Sequence, residues 1–103
     1  MGDNVVEVVM FDMKTEVARA DFLTGAGEAS DWLRIQPGFV SRELFEVGDQ
    51  RWLDIVHWST MDAARTAAER LGHSESCAGF LATIDLASVR VIHGTPVIAA
   101  VRV

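Results

Sequence analysis

The sequence predicts an α+β domain in which helices cover one face of a four-stranded antiparallel sheet. Three observations carry that expectation. Short β-branched runs alternate with longer segments of helical periodicity, in the order β-α-β-β-α-α-β. The second and third strands are separated only by the turn "GDQ", so they pair as a hairpin. A right-handed crossover through the first helix then leaves a gap between the first two strands, into which the hairpin partner fits. The chain of 103 residues reads as one domain, 1–103, of a size that buries about 65% of its unfolded surface.

Each element follows from its residues. Val5 to Met13, "VVEVVMFDM", is rich in β-branched residues and forms the first strand. Between Thr15 and Gln36, Phe22, Ala26, Ala29 and Leu33 recur at helical spacing, with Asp21 and Glu28 on other faces. Gly25 and Gly27 each weaken this helix by about 1 kcal/mol relative to alanine, which points to close packing or a bend. Pro37-Gly38 ends it. Phe39 to Val47 is the second strand and Arg51 to Trp58 the third. Thr60 is placed to cap a helix from Met61 to about Leu71, with Asp62 in its electropositive first turn. Gly72 stops that helix. Ser74 caps another, in which Cys77, Phe80, Leu81 and Ile84 share a face. Val89 to His93 is the last strand, and "PVIAAVRV" continues as an extended apolar tail. The arrangement is a ferredoxin-like sandwich.

Alternation along the strands adds a second expectation. In the third strand Trp52, Val56 and Trp58 point one way, and Leu53, Ile55 and His57 the other. In the first, Val5, Val9 and Phe11 oppose Val6, Val8 and Met10. Both faces are apolar, yet helices cover only one. An antiparallel sheet with its other face in water alternates with polar residues, so a second copy of the chain is expected there, closing a dimeric α/β barrel. The tail after Pro96 could reach across as well.

The net charge of −6 repels a phosphate backbone on average, so nucleic acid is not expected as a partner. No cluster of Lys and Arg marks a membrane surface, and no apolar run is long enough to span a bilayer. "MGDNVVEVV" lacks the positive start of a signal peptide, and Gly2 lacks the hydroxyl residue that myristoylation needs, since Val6 stands there. Cys77 is the single cysteine, so no intramolecular disulfide forms and a reducing, cytoplasmic setting is expected.

Two passages, "QPGFVSRELFEV" and "IVHWSTMDAA", together with the ending "FLATIDLASVRVIHG", carry a resemblance. The second matches a strand-Trp-x-Ser/Thr-x-acid-Ala-Ala pattern. Over nearly its whole length the chain resembles the antibiotic biosynthesis monooxygenase-like (ABM) group of the dimeric α+β barrel superfamily. That resemblance implies a two-chain barrel, often with a pocket between sheet and helices. It also implies activities that include cofactor-independent oxidation of quinol-like aromatics and haem degradation. The haem-degrading pattern fits poorly: the first strand has no asparagine, Ala67 stands about where a tryptophan is expected, and Cys77 lies near the place of a histidine. The expected activity is therefore a cofactor-independent monooxygenase acting on a small aromatic molecule, with no cofactor. The alternative is a non-catalytic ligand-binding or structural barrel, because one scaffold serves many functions.

Candidate residues carry two readings each. His57, on an apolar strand face, is the candidate general base, or else a histidine hydrogen-bonded across the barrel or dimer seam. Trp58, Phe22, Trp32 and Phe80 are candidate walls of an aromatic pocket, or else core. Trp52 reads as core or as a wall of the same pocket and, lying near a turn, is also a candidate for the subunit contact. Glu7 interrupts the first strand and needs a cation or a proton if buried, with Arg90 as candidate partner; Arg42 and Asp54 form a similar pair. Cys77 reads as core rather than nucleophile. His57, His73 and His93 show no metal-ligand spacing, and no phosphate-binding glycine loop or nucleophile elbow is present.

Overall fold

A computed structural model describes residues 4–103; the reading at Gly2 lies outside them. The elements are β1 (Val5–Met13), α1 (Arg19–Arg34), β2 (Phe39–Gly48), β3 (Arg51–Trp58), α2 (Met61–Leu71), α3 (Glu75–Ala82) and β4 (Ile84–Gly94). The sheet order is β2-β3-β1-β4, antiparallel throughout. This is the ferredoxin-like α+β sandwich expected from the sequence. The two-residue loop Asp49-Gln50 closes the hairpin, and Gln50 takes φ 66° there, a left-handed conformation that tightens the turn.

Three boundaries differ from expectation. Helix α1 starts at Arg19, because Ala18 is extended, with φ −70° and ψ 140°, and the residues before it form a turn in which Val17 N–H donates to the Lys14 carbonyl. Ile84 is not helical but opens β4 opposite Met13. Strand β4 thus begins five residues before Val89, and the excess length is absorbed by a bulge. Met10 pairs with Arg90 while Asp12 pairs with Asp85, so the residues between Asp85 and Arg90 outnumber those facing them. Ser88 holds the bulge: its Oγ accepts from the Asp12 N–H at 2.8 Å and donates to the Asp85 carbonyl at 2.6 Å.

Helix α2 starts as its residues dictate. Thr60 Oγ1 accepts from the Ala63 N–H at 3.0 Å, satisfying one orphan donor of the first turn. Ser74 precedes α3 but makes no such side-chain bond. Gly25 is needed for close approach: a Cβ there would lie 3.0 Å from Phe80 Cα and 3.1 Å from Phe80 N. The backbone of α3 therefore rests directly on α1, while Gly27 faces open space. Gly38, at φ +83°, turns the chain into β2 where a side chain would strike Ala63 Cβ at 2.5 Å.

The core lies between the sheet and the helices, in two clusters. Phe11, Phe22, Trp52, Cys77 and Phe80 centre the first; Val5, Leu33, Val56, Trp58, Ala64 and Ala67 make the second. Trp52 is 3% exposed and packs on Phe22 with ring centroids 4.5 Å apart, so it belongs to the core of its own chain rather than to a subunit contact. Its Nε1–H is buried without a partner among the described residues. The opposite sheet face carries Val6, Val8, Met10, Leu53, Ile55, Phe45 and Ile92 with no helix over it, and Ile92 is 67% exposed. The residues after Gly94 form no strand or helix, and Val97, Ile98 and Val101 are exposed. Among the described residues no helix is long and apolar enough to cross a membrane.

Candidate functional site

Between the sheet and the three helices lies a cavity of about 250 Å³, near the lower end for a small-molecule site. Val9, Phe11, Val56 and Trp58 floor it from the central strands; Ala29 and Leu33 come from α1, Ala67 and Leu71 from α2, and Phe80 and Leu81 from α3. Leu86, Val89 and Val91 of β4 complete the wall. Hollows of about 370 Å³ and 560 Å³ are more open surface depressions of mixed lining, one beside Ser59, Thr60, Ala63 and Arg70 and one beside Lys14, Ser74, Leu81 and Asp85. The more apolar and less open cavity is the better candidate ligand site, because burial of an apolar body and a few fixed polar groups are what bind a small molecule.

Three charged side chains reach this cavity: Glu7, Arg42 and Asp54. Glu7 shares the inward face of β1 with Val5, Val9 and Phe11, and its neighbours across the sheet are Val56 and His93. Trp58 Nε1–H donates to Glu7 Oε1 at 3.3 Å, and His93 Nε2 lies 2.9 Å from Glu7 Oε2. Against a carboxylate acceptor this geometry selects the Nε2–H form of the imidazole. The partner of Glu7 is therefore His93, not Arg90. Register decides it: Arg90 faces Met10 on the other side of the sheet and donates to the Ala87 and Val89 carbonyls.

Arg42 and Asp54 form the expected pair, bidentate at 2.9 and 2.7 Å, with side chains only 5% and 10% exposed. Arg42 also donates to the Ala26 carbonyl and to Ser30 Oγ, both at 2.8 Å, and lies over the Phe80 ring at 5.3 Å. One guanidinium thereby ties β2 to β3 and α1. Burial of an ion pair is costly unless its remaining hydrogen-bonding capacity is met, and here two further N–H···O bonds, to Ala26 and Ser30, meet most of it.

The residues singled out from sequence are placed as follows. Trp58 and Phe80 line the cavity. Phe22 is sealed in the core beneath it and Trp32 is half-buried beside both clusters; neither lines the cavity. His57 lies on the helix-free face, between Val6 and Ser41, and does not reach the cavity. Cys77 is fully buried, and burial pushes its thiol pKa up. Glu7 was legible as an odd residue in an apolar strand, but its place in the cavity wall depends on which face it takes. Among the described residues no group of three or more His, Cys, Asp or Glu is placed to hold a metal ion. Haem also fits poorly: among the described residues no histidine lines the cavity, and Cys77 is closed off.

No family model and no curated protein matches the chain. Solved structures do. SnoaB, a cofactor-independent oxygenase from Streptomyces nogalater, is 24% identical, with 96% of each chain covered and a TM-score of 0.69. A putative antibiotic biosynthesis monooxygenase from Bordetella bronchiseptica is 20% identical over 95% of this chain and 100% of that one, with a TM-score of 0.76. A heme-degrading protein from Mycobacterium tuberculosis is 15% identical over 99% and 100%, with a TM-score of 0.67. The strand order and the three helices over one face are thus those of a known scaffold, and the chain has the fold of the antibiotic biosynthesis monooxygenase-like proteins.

Proposed function

We propose that the chain works as a homodimer that binds a small aromatic or otherwise hydrophobic molecule in the cavity between sheet and helices, and oxidises it with dioxygen without a cofactor. The observation that carries this reading is the cavity itself, apolar over most of its wall and furnished with the Glu7 carboxylate and the Arg42–Asp54 pair. The likeness to SnoaB, a cofactor-independent oxygenase, supports the reaction class. Oxygen uptake with a panel of hydroquinones tests it. Turnover is expected above the protein-free rate, and Val91→Trp, which fills the cavity wall, is expected to abolish it. Uptake no faster than the protein-free rate with every quinol sinks the enzyme reading.

The second reading is a non-catalytic ligand-binding or structural barrel. It is favoured by one observation: the charged groups in the cavity already have partners, Glu7 with Trp58 and His93, Arg42 with Asp54. Ligand binding without turnover is its expected result.

The dimer rests on the helix-free sheet face, whose Val8, Ile55 and Ile92 would otherwise stand in water. His57 belongs to that face, so His57→Ala is expected to weaken association rather than to empty the cavity of its chemistry. Sedimentation showing a stable monomer at micromolar concentration overturns the dimer. A single cysteine held as a core thiol suits a cytoplasmic setting.

A further inference from the structure

We propose that Glu7 is the specificity-determining residue of the cavity: it accepts a hydrogen bond from the polar end of the ligand and rejects a ligand that presents a carboxylate there. The proposal rests on the reading of the cavity as a ligand site and adds the chemistry of its polar end.

Most of the other polar atoms are already committed. Trp58 has one N–H, and it is given to Glu7 Oε1. Arg42 has four of its five N–H groups engaged, and both Asp54 oxygens accept from it. Glu7 differs. Each carboxylate oxygen has room for a second donor, and each holds one partner so far, Trp58 on Oε1 and His93 on Oε2. Those two partners reach it from the strands on either side, β3 and β4, so the carboxylate is oriented before any ligand arrives. An O–H or N–H donor gains a charge-assisted bond there. A ligand carboxylate would instead place like charges together in a poorly solvated site, while the Arg42 guanidinium in the same wall is already paired with Asp54. Apart from the one further N–H of Arg42, the remaining wall gives an apolar body area, so the choice at the polar end falls chiefly to Glu7.

The experiment titrates the full chain with three matched ring systems, 2-naphthol, naphthalene and 2-naphthoate, by calorimetry. The wild type is expected to bind 2-naphthol at least about tenfold tighter than 2-naphthoate and severalfold tighter than naphthalene. Glu7→Gln, which adds a donor and removes the charge, is expected to bring 2-naphthoate to within about threefold of 2-naphthol. Glu7→Asp withdraws the carboxylate by one methylene; it should still reject 2-naphthoate while losing the preference for 2-naphthol over naphthalene. Equal binding of all three by the wild type overturns the role of Glu7 and leaves the cavity as a ligand site. An unchanged ranking in both variants does the same. If none of the three binds the wild type, the cavity reading falls, and the proposal with it.

Discussion

Asp54→Ala removes the anion from a pair that is almost wholly out of water, leaving the Arg42 guanidinium charged in the core. Breaking a buried pair from one side costs about 3–5 kcal/mol, against a total stability of about 5–15 kcal/mol for a domain. The exposures of 5% and 10% leave little solvent to screen the orphaned charge. The bonds from Arg42 to the Ala26 carbonyl and Ser30 Oγ survive the change and place the expected loss toward the lower end of that range. With a urea slope of about 1–1.5 kcal/mol/M, the midpoint should fall by about 2 M or more. Replacing both partners, as Arg42→Met with Asp54→Leu, removes the charge problem altogether and should recover most of the loss. Urea unfolding followed by tryptophan fluorescence at one fixed protein concentration measures both, the fixed concentration being needed because association adds to stability. A loss below about 1 kcal/mol for Asp54→Ala would show that the pair behaves as a hydrated surface bridge. Solvent would then reach Arg42 and Asp54 despite their low exposure.

Two glycines of α1 should respond in opposite directions. Gly27→Ala meets nothing within 4 Å and should stabilise by about 0.5–1 kcal/mol through helix propensity. Gly25→Ala forces its methyl against the Phe80 backbone at 3.0 Å, and the overpacking cost of about 1–3 kcal/mol outweighs the same propensity gain. Thermal unfolding of both variants, with Gly25→Ala the more stable, would contradict the close approach of α1 and α3. Cys77 should resist a soluble disulfide reagent in the native protein and react once urea unfolds it. Burial raises its pKa, so the thiolate forms only at a pH above the ordinary range and alkylation of the native chain should rise late with pH. Rapid native labelling at neutral pH would show that the core opens beside α3.

The order of elements could be read from the chain because local signals and packing agree. The period of Phe22, Ala26, Ala29 and Leu33, the Thr60 cap and the hairpin between β2 and β3 each make their element without help from distant residues. Alternation in β3 likewise separates Trp52, Val56 and Trp58 from Leu53, Ile55 and His57, so the presence of two apolar faces needed no coordinates. The element ends were different. Ile84 reads as the next residue of an apolar helix face, and only pairing with Met13 makes it a strand residue. The bulge around Ser88 depends on a hydrogen bond to Asp12, 76 residues away.

The site was decided by tertiary structure. His57 and Glu7 stand out equally as polar residues in apolar strands. Register sends Glu7 inward to Trp58 and His93 and His57 outward to the uncovered face, and a shift of one residue would exchange them. Sequence by itself determined the layers, the capped helices and the second apolar face, since these follow from periodicity along a single segment. Which polar group meets the cavity was set by pairing between segments far apart in the chain, because a strand's side chains take their meaning from the neighbour across the sheet.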